Sequence, residues 1–498
     1  MKTKKALFLI ITLALTPVLS LFGRGSSEAP RTLELRYGFS SEPATLDPLD
    51  PSNTADGRSI LFNVYEGLVR PEPDGDIKPA VASSYAIEQG GLVYRFTLRQ
   101  GLRFHNGEAV RVGDVKFTLD TAIAAAYQGF TQIEKVETPD DSTIVITLKT
   151  PDVEFLPYLT IGIVPANNTD REHNPIGTGP YRIESYSTQQ SLVLKKNPAY
   201  WRSGFPKLDK VTIVFLANSE ALLLSLRGGN IDAADITGSQ VDQLNDADFD
   251  IFPGYSNAVQ LLALNNDVKP LDDIRVRQAL NYAVDIPEII NTAFSGRGEA
   301  SGSPLIPGLA KYYNRELVNP YPSNPERART LLREAGLAEG FSLEITVPSN
   351  YTMHVDTAQV IVNQLAQVGI KAEIRLVDWA TWLSAVYRGR NYQATIISLD
   401  AANSSPRMFL SRYLSTGSSN FINFRNADFD QVYQAGLSEI DEAKRIALYQ
   451  EAQKIISANA ASVYIQDIYH FRVFPKGRYT GILNYPLYVT DFASITPR

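Results

Sequence analysis

Across nearly five hundred residues, strand-like and helix-like hydrophobic periods alternate without one Pro-, Gly- or Ser-rich linker between them. Alternation of this kind is the signature of mixed α/β layers. A chain of 498 residues is also too long for a single ordinary core, so two or three lobes are expected. Lobes without linkers imply that the chain crosses between them several times. Leu92, Tyr94, Phe96 and Leu98 share one face of a strand, with Val93, Arg95 and Thr97 on the other. The same period of two recurs at Ile144, Ile146 and Leu148, at Leu192 and Leu194, and at Val211, Ile213 and Phe215. Turn chemistry separates such runs at Asp74-Gly75, Asn106-Gly107 and Pro139 to Ser142.

Helices are marked by their ends. Asn324 caps a helix with Pro325 at its first position, Ala328, Leu331, Leu332 and Ala335 on one stripe, and Gly336 at the stop. Asp356 is expected to start another, with Ala358, Ile361, Leu365 and Val368 at helical spacing before Gly369 and a strand from Ala372 to Val377. Asp285 and Glu288 read as a capping box for a helix ending near Gly296. A long helix from about Glu442 to Ser457 carries Ile446, Tyr449 and Ile456 inward.

The first residues set the expected compartment. Lys2, Lys4 and Lys5 precede an apolar run from Ala6 to Leu15, and small residues follow near Ser20 and from Gly23 to Ser26. This predicts a secretory signal peptide over residues 1–25, too short to anchor the chain stably, and an exported protein at the periplasmic or extracytoplasmic face of the membrane. Its removal takes four basic and no acidic residues, leaving 43 basic against 54 acidic, a net charge of −11. So acidic a body argues against nucleic acid as partner. The chain has no cysteine, which excludes disulfides, thiolate metal sites, a cysteine nucleophile and a lipid anchor on cysteine.

Motifs for catalysis are absent. His105, His173, His354 and His470 are scattered without ligand-like spacing, so no metal site is expected. There is no nucleophile elbow or phosphate-binding loop, and Gly177-Thr178-Gly179-Pro180 reads as a turn. Neither a catalytic residue nor a cofactor is expected.

Several blocks converge instead on one resemblance. Tyr65-Glu66-Gly67-Leu68-Val69 is followed by Pro79 to Ala82, then by Phe96 through Gly107, Gly177 to Tyr181, Asn197 to Trp201 and Asp272 to Leu280, and last by Ala328 to Gly336. In this order they resemble the peptide/nickel (family 5) solute-binding proteins of ABC importers, from about Leu33 to the C-terminus. The resemblance implies an α/β, periplasmic-binding-protein-like fold with two main lobes, a hinge and an inserted lobe. Lobe I is expected from residues 31–68, 177–265 and 477–498, the inserted lobe from 69–176 and lobe II from 266–476. It further implies a monomer that closes over a small solute, here a peptide, and hands it to ABC permease subunits in the membrane. The same fold binding an oligosaccharide or a metal chelate is the alternative. In the Phe104-His105-Asn106-Gly107 block, His105 is expected to be structural.

The resemblance also points to contacts. Ser41-Glu42 before Leu46-Asp47-Pro48 keeps the family's early pattern, making Ser41 and Glu42 expected ligand contacts. Trp379 stands where the family places an aromatic wall, and Trp382 follows three residues later on the same helical face. Peptide binders carry an aspartate for the α-amino group in a run that here reads Ala402-Asn403-Ser404-Ser405-Pro406. Ala402 replaces that aspartate, Asp400 is the nearest acid, and Asn403 and Arg407 are further expected contacts. Met353-His354-Val355-Asp356 offers no arginine for a peptide carboxylate. Such losses leave a free dipeptide poorly paired.

Overall fold

The structure, a computed structural model, describes residues 33–53, 55–401, 403 and 405–498. The expected signal peptide and Ala402 lie outside the described residues. Strand β1 (Glu34–Phe39) buries Leu35, Tyr37 and Phe39. The chain then leaves for a separate antiparallel sheet of β2 (Ala82–Glu88), β3 (Val93–Leu98), β4 (Ile133–Glu137) and β5 (Thr143–Leu148), ordered β2-β3-β5-β4. As its alternation predicts, β3 buries Tyr94, Phe96 and Leu98 and exposes Arg95 and Thr97. The helix Val112–Ala124 covers this sheet through Val115, Leu119 and Ala122.

The chain returns beside β1 with β6 (Tyr181–Ser187), β7 (Ser191–Lys196), β8 (Lys210–Phe215) and β9 (Ala233–Thr237). It continues through β10 (Phe249–Leu264), β11 (Gly298–Ala300), β12 (Ser342–Pro348), β13 (Lys371–Val377), β14 (Ala394–Asp400) and β15 (Ser462–Pro475). Among the described residues these make one eleven-stranded sheet, ordered β13-β12-β14-β10-β15-β9-β1-β8-β7-β6, with β11 on β15. The two long strands carry the crossing expected of a linker-free chain. One end of β15 pairs with β9, Ala234 opposite Val473. The other end of β10 pairs with β14 from Ala258–Asp400 to Leu264–Ala394. At about 3.3 Å per residue, β10 runs roughly 50 Å.

Beyond the crossing, β10 is buried on both faces, which explains its near-continuous apolar run. Leu262 and Leu264 enter one core with Ile345, Ile361 and Leu365, while Val259, Leu261 and Ala263 enter another with Trp382, Phe421 and Tyr449. Gln260 between them is fully buried and satisfied. Its amide bonds His354 Nδ1 at 3.1 Å and donates to Thr357 at 3.0 Å, and its carbonyl accepts from Gln466 at 2.9 Å.

Helix ends follow their local chemistry with two differences. Asn324 accepts from Arg327 N at 3.0 Å and Gly336 takes φ +79°. Asp285 caps Glu288 N at 2.9 Å, but Glu288 does not close a box. Its carboxylate takes Gln364 Nε2 at 2.8 Å, whose carbonyl accepts Asp285 N at 3.1 Å. The helix expected to begin at Asp356 begins at Thr352, because the added turn buries His354 against Gln260. Burial lowers the His354 pKa to about 4, so the imidazole is neutral. The helix Glu442–Ala458 buries Tyr449 and Ile456 fully and Ile446 partly. Among the described residues no helix is long and apolar enough to cross a membrane.

Candidate ligand-binding site

Asp400 ends β14 opposite Ala258, where β10 passes from one half of the sheet to the other. Beside it lies a cavity of about 580 Å³, lined by residues drawn from remote stretches of chain: 48–53, 55–71, 125–130, 157–162, 400, 401, 403 and 487–493, with Pro180 and Tyr200. This is the size expected for a small-molecule site. Its walls are aromatic, with Phe62, Tyr65, Tyr127, Tyr158, Tyr200 and Tyr488 among them.

Local structure places these rings. After the helix Val112–Ala124, Ala126 and Gly129 adopt φ +53° and +86°, turning the chain so that Tyr127 reaches the cavity. Gly129 is required on a second count, since a Cβ there would stand 2.5 Å from the Tyr158 ring. Glycine is also needed at Gly177, whose Cβ would stand 2.1 Å from the Val64 carbonyl. His105 fastens that turn: its Nδ1 accepts Gly177 N at 3.2 Å and its Nε2 donates to the Gly179 carbonyl at 3.0 Å. Burial lowers its pKa to about 4, which keeps the ring neutral for this paired role.

The cavity's charges divide into committed and open ones. Burial raises the Glu66 pKa, partly countered by hydrogen bonds from Trp201 at 2.9 Å, Tyr200 at 2.8 Å and Thr178 at 3.2 Å. Arg70 lies between Glu72 at 3.2 Å and Asp491 at 3.7 Å. Burial opposes its charge, yet Tyr200 and Asp491 hold its pKa above the ordinary arginine value. Asp50 accepts Ser52 N at 2.8 Å within its own turn. By contrast, among the described residues the Asp400 carboxylate has no hydrogen-bond donor or cation, and Arg58 has no carboxylate within ion-pair distance.

Of the residues expected from sequence, Asp400 and Asn403 line the cavity. Asn403 is buried and its side chain caps Ser405 N at 3.1 Å. Ser41 donates to Asp56, and neither of the two lines the cavity. The Glu42 carboxylate is occupied by Tyr186 OH and Gln189 N, both at 2.8 Å, at the β6–β7 hairpin. Trp379 and Trp382 do share a face, stacked at 5.1 Å with planes 4° apart, but neither lines the cavity. Trp382 is core and donates to Thr395 at 3.0 Å, whereas Trp379 keeps 38% of its surface exposed. Arg407 pairs with Asp152. That pair belongs to a belt joining the residue 76–163 region to the second half of the chain. In it Glu154 accepts from Ser405 at 2.8 Å and meets Arg445 at 3.2 Å, and Lys311 pairs with Asp76 and Glu442.

Arg58, Tyr127, Tyr158 and Tyr488 escaped sequence reasoning. The abundance of tyrosine, 25 in the chain, was the one signal for the rings, since an enclosing site uses amphipathic walls, and nothing in the sequence marked Arg58.

Comparison with known proteins agrees with this architecture. The family described as "Bacterial extracellular solute-binding proteins, family 5 Middle" matches residues 76–421. The glutathione-binding protein GsiB of Pectobacterium atrosepticum is 31% identical over 447 residues, covering 84% of this chain and 86% of that protein. The PBP AgaA from A. tumefacien R10, solved in complex with agropinic acid, superposes with a TM-score of 0.73 at 28% identity over 93% of this chain and 99% of its own. HbpA2 from Haemophilus parasuis superposes at 0.84 with 23% identity, over 93% and 100%, and shares the fold. A family match over residues 76–421, joined to a relative of this identity and coverage, establishes the relationship. The chain belongs to the family 5 bacterial extracellular solute-binding proteins, substrate-binding components of ABC importers.

Proposed function

We propose that this protein captures a small peptide-like solute in the cavity beside Asp400 and delivers it to the membrane subunits of an ABC importer, without cleaving it. The open Asp400 carboxylate carries this reading. An amine entering a tyrosine-walled cavity loses its water and needs a carboxylate to offset that loss. Asp400 is uncommitted, and it sits at the crossing of the two halves. Asn403 stands nearby with amide hydrogens for a peptide carbonyl. A relative named for glutathione and a neighbour holding agropinic acid support a small polar solute of this kind.

In this reading the lobes have the boundaries expected from the sequence, 31–68 with 177–265 and 477–498, 69–176, and 266–476. The protein acts as an exported monomer, its leader spanning residues 1–25, and solute binding favours the form in which the belt around Asp152 and Glu154 is made. Ligand capture then raises thermal stability in proportion to the logarithm of solute concentration over Kd.

The test is calorimetric. A tripeptide pool with free amino termini is compared with its N-acetylated counterpart, on the unmutated protein and on Asp400→Asn. Free amines should bind the unmutated protein roughly tenfold or more tightly, an advantage that Asp400→Asn removes. Equal binding of both pools to the unmutated protein refutes the amine anchor. Recovery of shortened peptides would refute the absence of catalysis.

A further inference from the structure

We infer that solute capture is coupled to uptake of a proton at the Asp467 carboxyl, which plugs the break in the ladder where the two halves of the molecule meet. The inference rests on the capture reading above and adds a linkage to it.

Strands β10 and β15 pair in one register from Phe249–Pro475 to Tyr255–Tyr469, and pairing resumes at Val259–Asp467. Between these points Ser256, Asn257 and Ala258 stand where β15 has Ile468 alone, and Asn257 turns at φ +58°. A bulge interrupts a ladder and bends its strand, so a change of angle between the halves is absorbed there before the paired stretches give way. This bulge also reaches two walls of the cavity. Ala258 pairs with Asp400 on β14. Asn257 Nδ2 donates at 2.9 Å to the carbonyl of Tyr485, whose hydroxyl donates to Asp491 at 2.7 Å. Asp400 and Asp491 both line the cavity.

The Asp467 carboxyl fills the bulge. Its Oδ1 accepts Ser256 N at 3.0 Å and Ser256 Oγ at 2.8 Å, while its Oδ2 is buried without a partner among the described residues. Its surroundings there supply hydrogen-bond donors and no cation. The titratable groups facing it are Glu299, directly opposite on β11, Tyr255 on β10 and Tyr469 on β15. Arg297, two residues before Glu299, is committed to Asp242 at 2.9 Å and to the Gly238 carbonyl at 3.0 Å. His470 lies on the other face of β15, under the influence of Asp235. A second carboxylate directly across from Glu299 is disfavoured in an antiparallel pair.

Burial outweighs the Ser256 bonds and pushes the Asp467 pKa up to about 7 in this form, whose cavity is walled from both halves. When the halves part, the bulge flexes, water reaches the carboxyl, and its pKa returns toward the ordinary aspartate value of about 4. The enclosing form is therefore the better proton binder. Enclosure takes up a proton between about pH 4 and 7, and solute affinity rises as pH falls through that window.

The full-length protein would be titrated calorimetrically with the free tripeptide pool at pH 6, where peptide amines and carboxylates keep their charge, in phosphate and in Bis-Tris. The two buffers differ in ionisation heat, so the difference between them counts protons. The unmutated protein should take up roughly one proton per solute bound, and its Kd should rise roughly tenfold or more from pH 5 to pH 7. Asp467→Asn keeps the size and the acceptor but cannot titrate, and should lose most of both effects. Infrared difference spectra of the unmutated protein supply a readout without a variant: adding the pool should produce the band of a newly protonated carboxyl. Absence of that band, zero uptake by the unmutated protein, or undiminished uptake in Asp467→Asn overturns the inference and leaves capture intact. A pool that binds at no pH overturns the capture reading and the coupling with it.

Discussion

Glu154 and Arg445 meet at 3.2 Å with their side chains 6% and 13% exposed, joining the residue 82–163 region to the long helix Glu442–Ala458. Burial raises the Glu154 pKa, while Ser405 and Arg445 pull it down. Removing Arg445 therefore strands a buried carboxylate. Arg445→Leu should cost about 3 kcal/mol in urea unfolding at neutral pH. A group with a raised native pKa contributes stability below its unfolded pKa and loses it as pH rises through the native one. The penalty of the variant should accordingly shrink toward pH 4.5, and Glu154→Gln in the same chain should recover part of it.

Asp467 offers a cleaner pH test. It is fully buried in β15 beside the irregularity in β10, where Ser256 N and Oγ donate to its Oδ1 at 3.0 and 2.8 Å. Burial outweighs those bonds and raises its pKa to about 7. The native state thus holds a proton that the unfolded chain releases above about pH 4. Stability from this group is complete below that value and is lost as pH rises to 7, by about 4 kcal/mol at most. Asp467→Asn, which keeps the acceptor, should flatten this fall. Denaturant unfolding from pH 4.5 to 7.5 measures it, and parallel slopes for the two proteins would contradict the assignment.

The stacked tryptophans should separate by position. Trp382→Ala removes a buried ring and its bond to Thr395, with an expected loss of about 3–5 kcal/mol. Trp379→Ala removes a ring already 38% exposed and should cost about 1 kcal/mol. Thermal melts rank the two. Similar melting points would mean that the stack is not anchored through Trp382.

At Gly129, alanine meets both a positive φ and the Tyr158 ring. Gly129→Ala should lose about 1–3 kcal/mol. It should also weaken tripeptide retention, because the displaced ring is part of the cavity wall. Retention equal to that of the unmutated protein would show that the wall tolerates the shift.

Features set by neighbours in sequence were the legible ones. The alternation of Tyr94, Phe96 and Leu98 and the Asn324 cap depend on residues within one element, and both stand as read. The box at Asp285 was misread because a residue 76 positions beyond Glu288, Gln364, competes for its carboxylate. The helix start at Thr352 was missed for a like reason, since Gln260 rewards burying His354. In the site, Asp400 was reachable because it is the nearest acid to the run from Ala402 to Pro406, which aligns with a known pattern. Arg58 was not. Its place in the cavity depends on the fold, which brings the helix Ala55–Leu61 to the same space as the end of β14.

The long pair β10 and β15 has a mechanical consequence. Their ladder runs from Phe249–Pro475 to Ala263–Ser462, and each half of the molecule builds its own strands onto a different stretch of it. The side-chain cores are separate, yet they share one spine. Neither half can shed its sheet without tearing out hydrogen bonds on which the other depends. The two should therefore melt in a single cooperative step, and one proteolytic nick within either strand should disable both halves together.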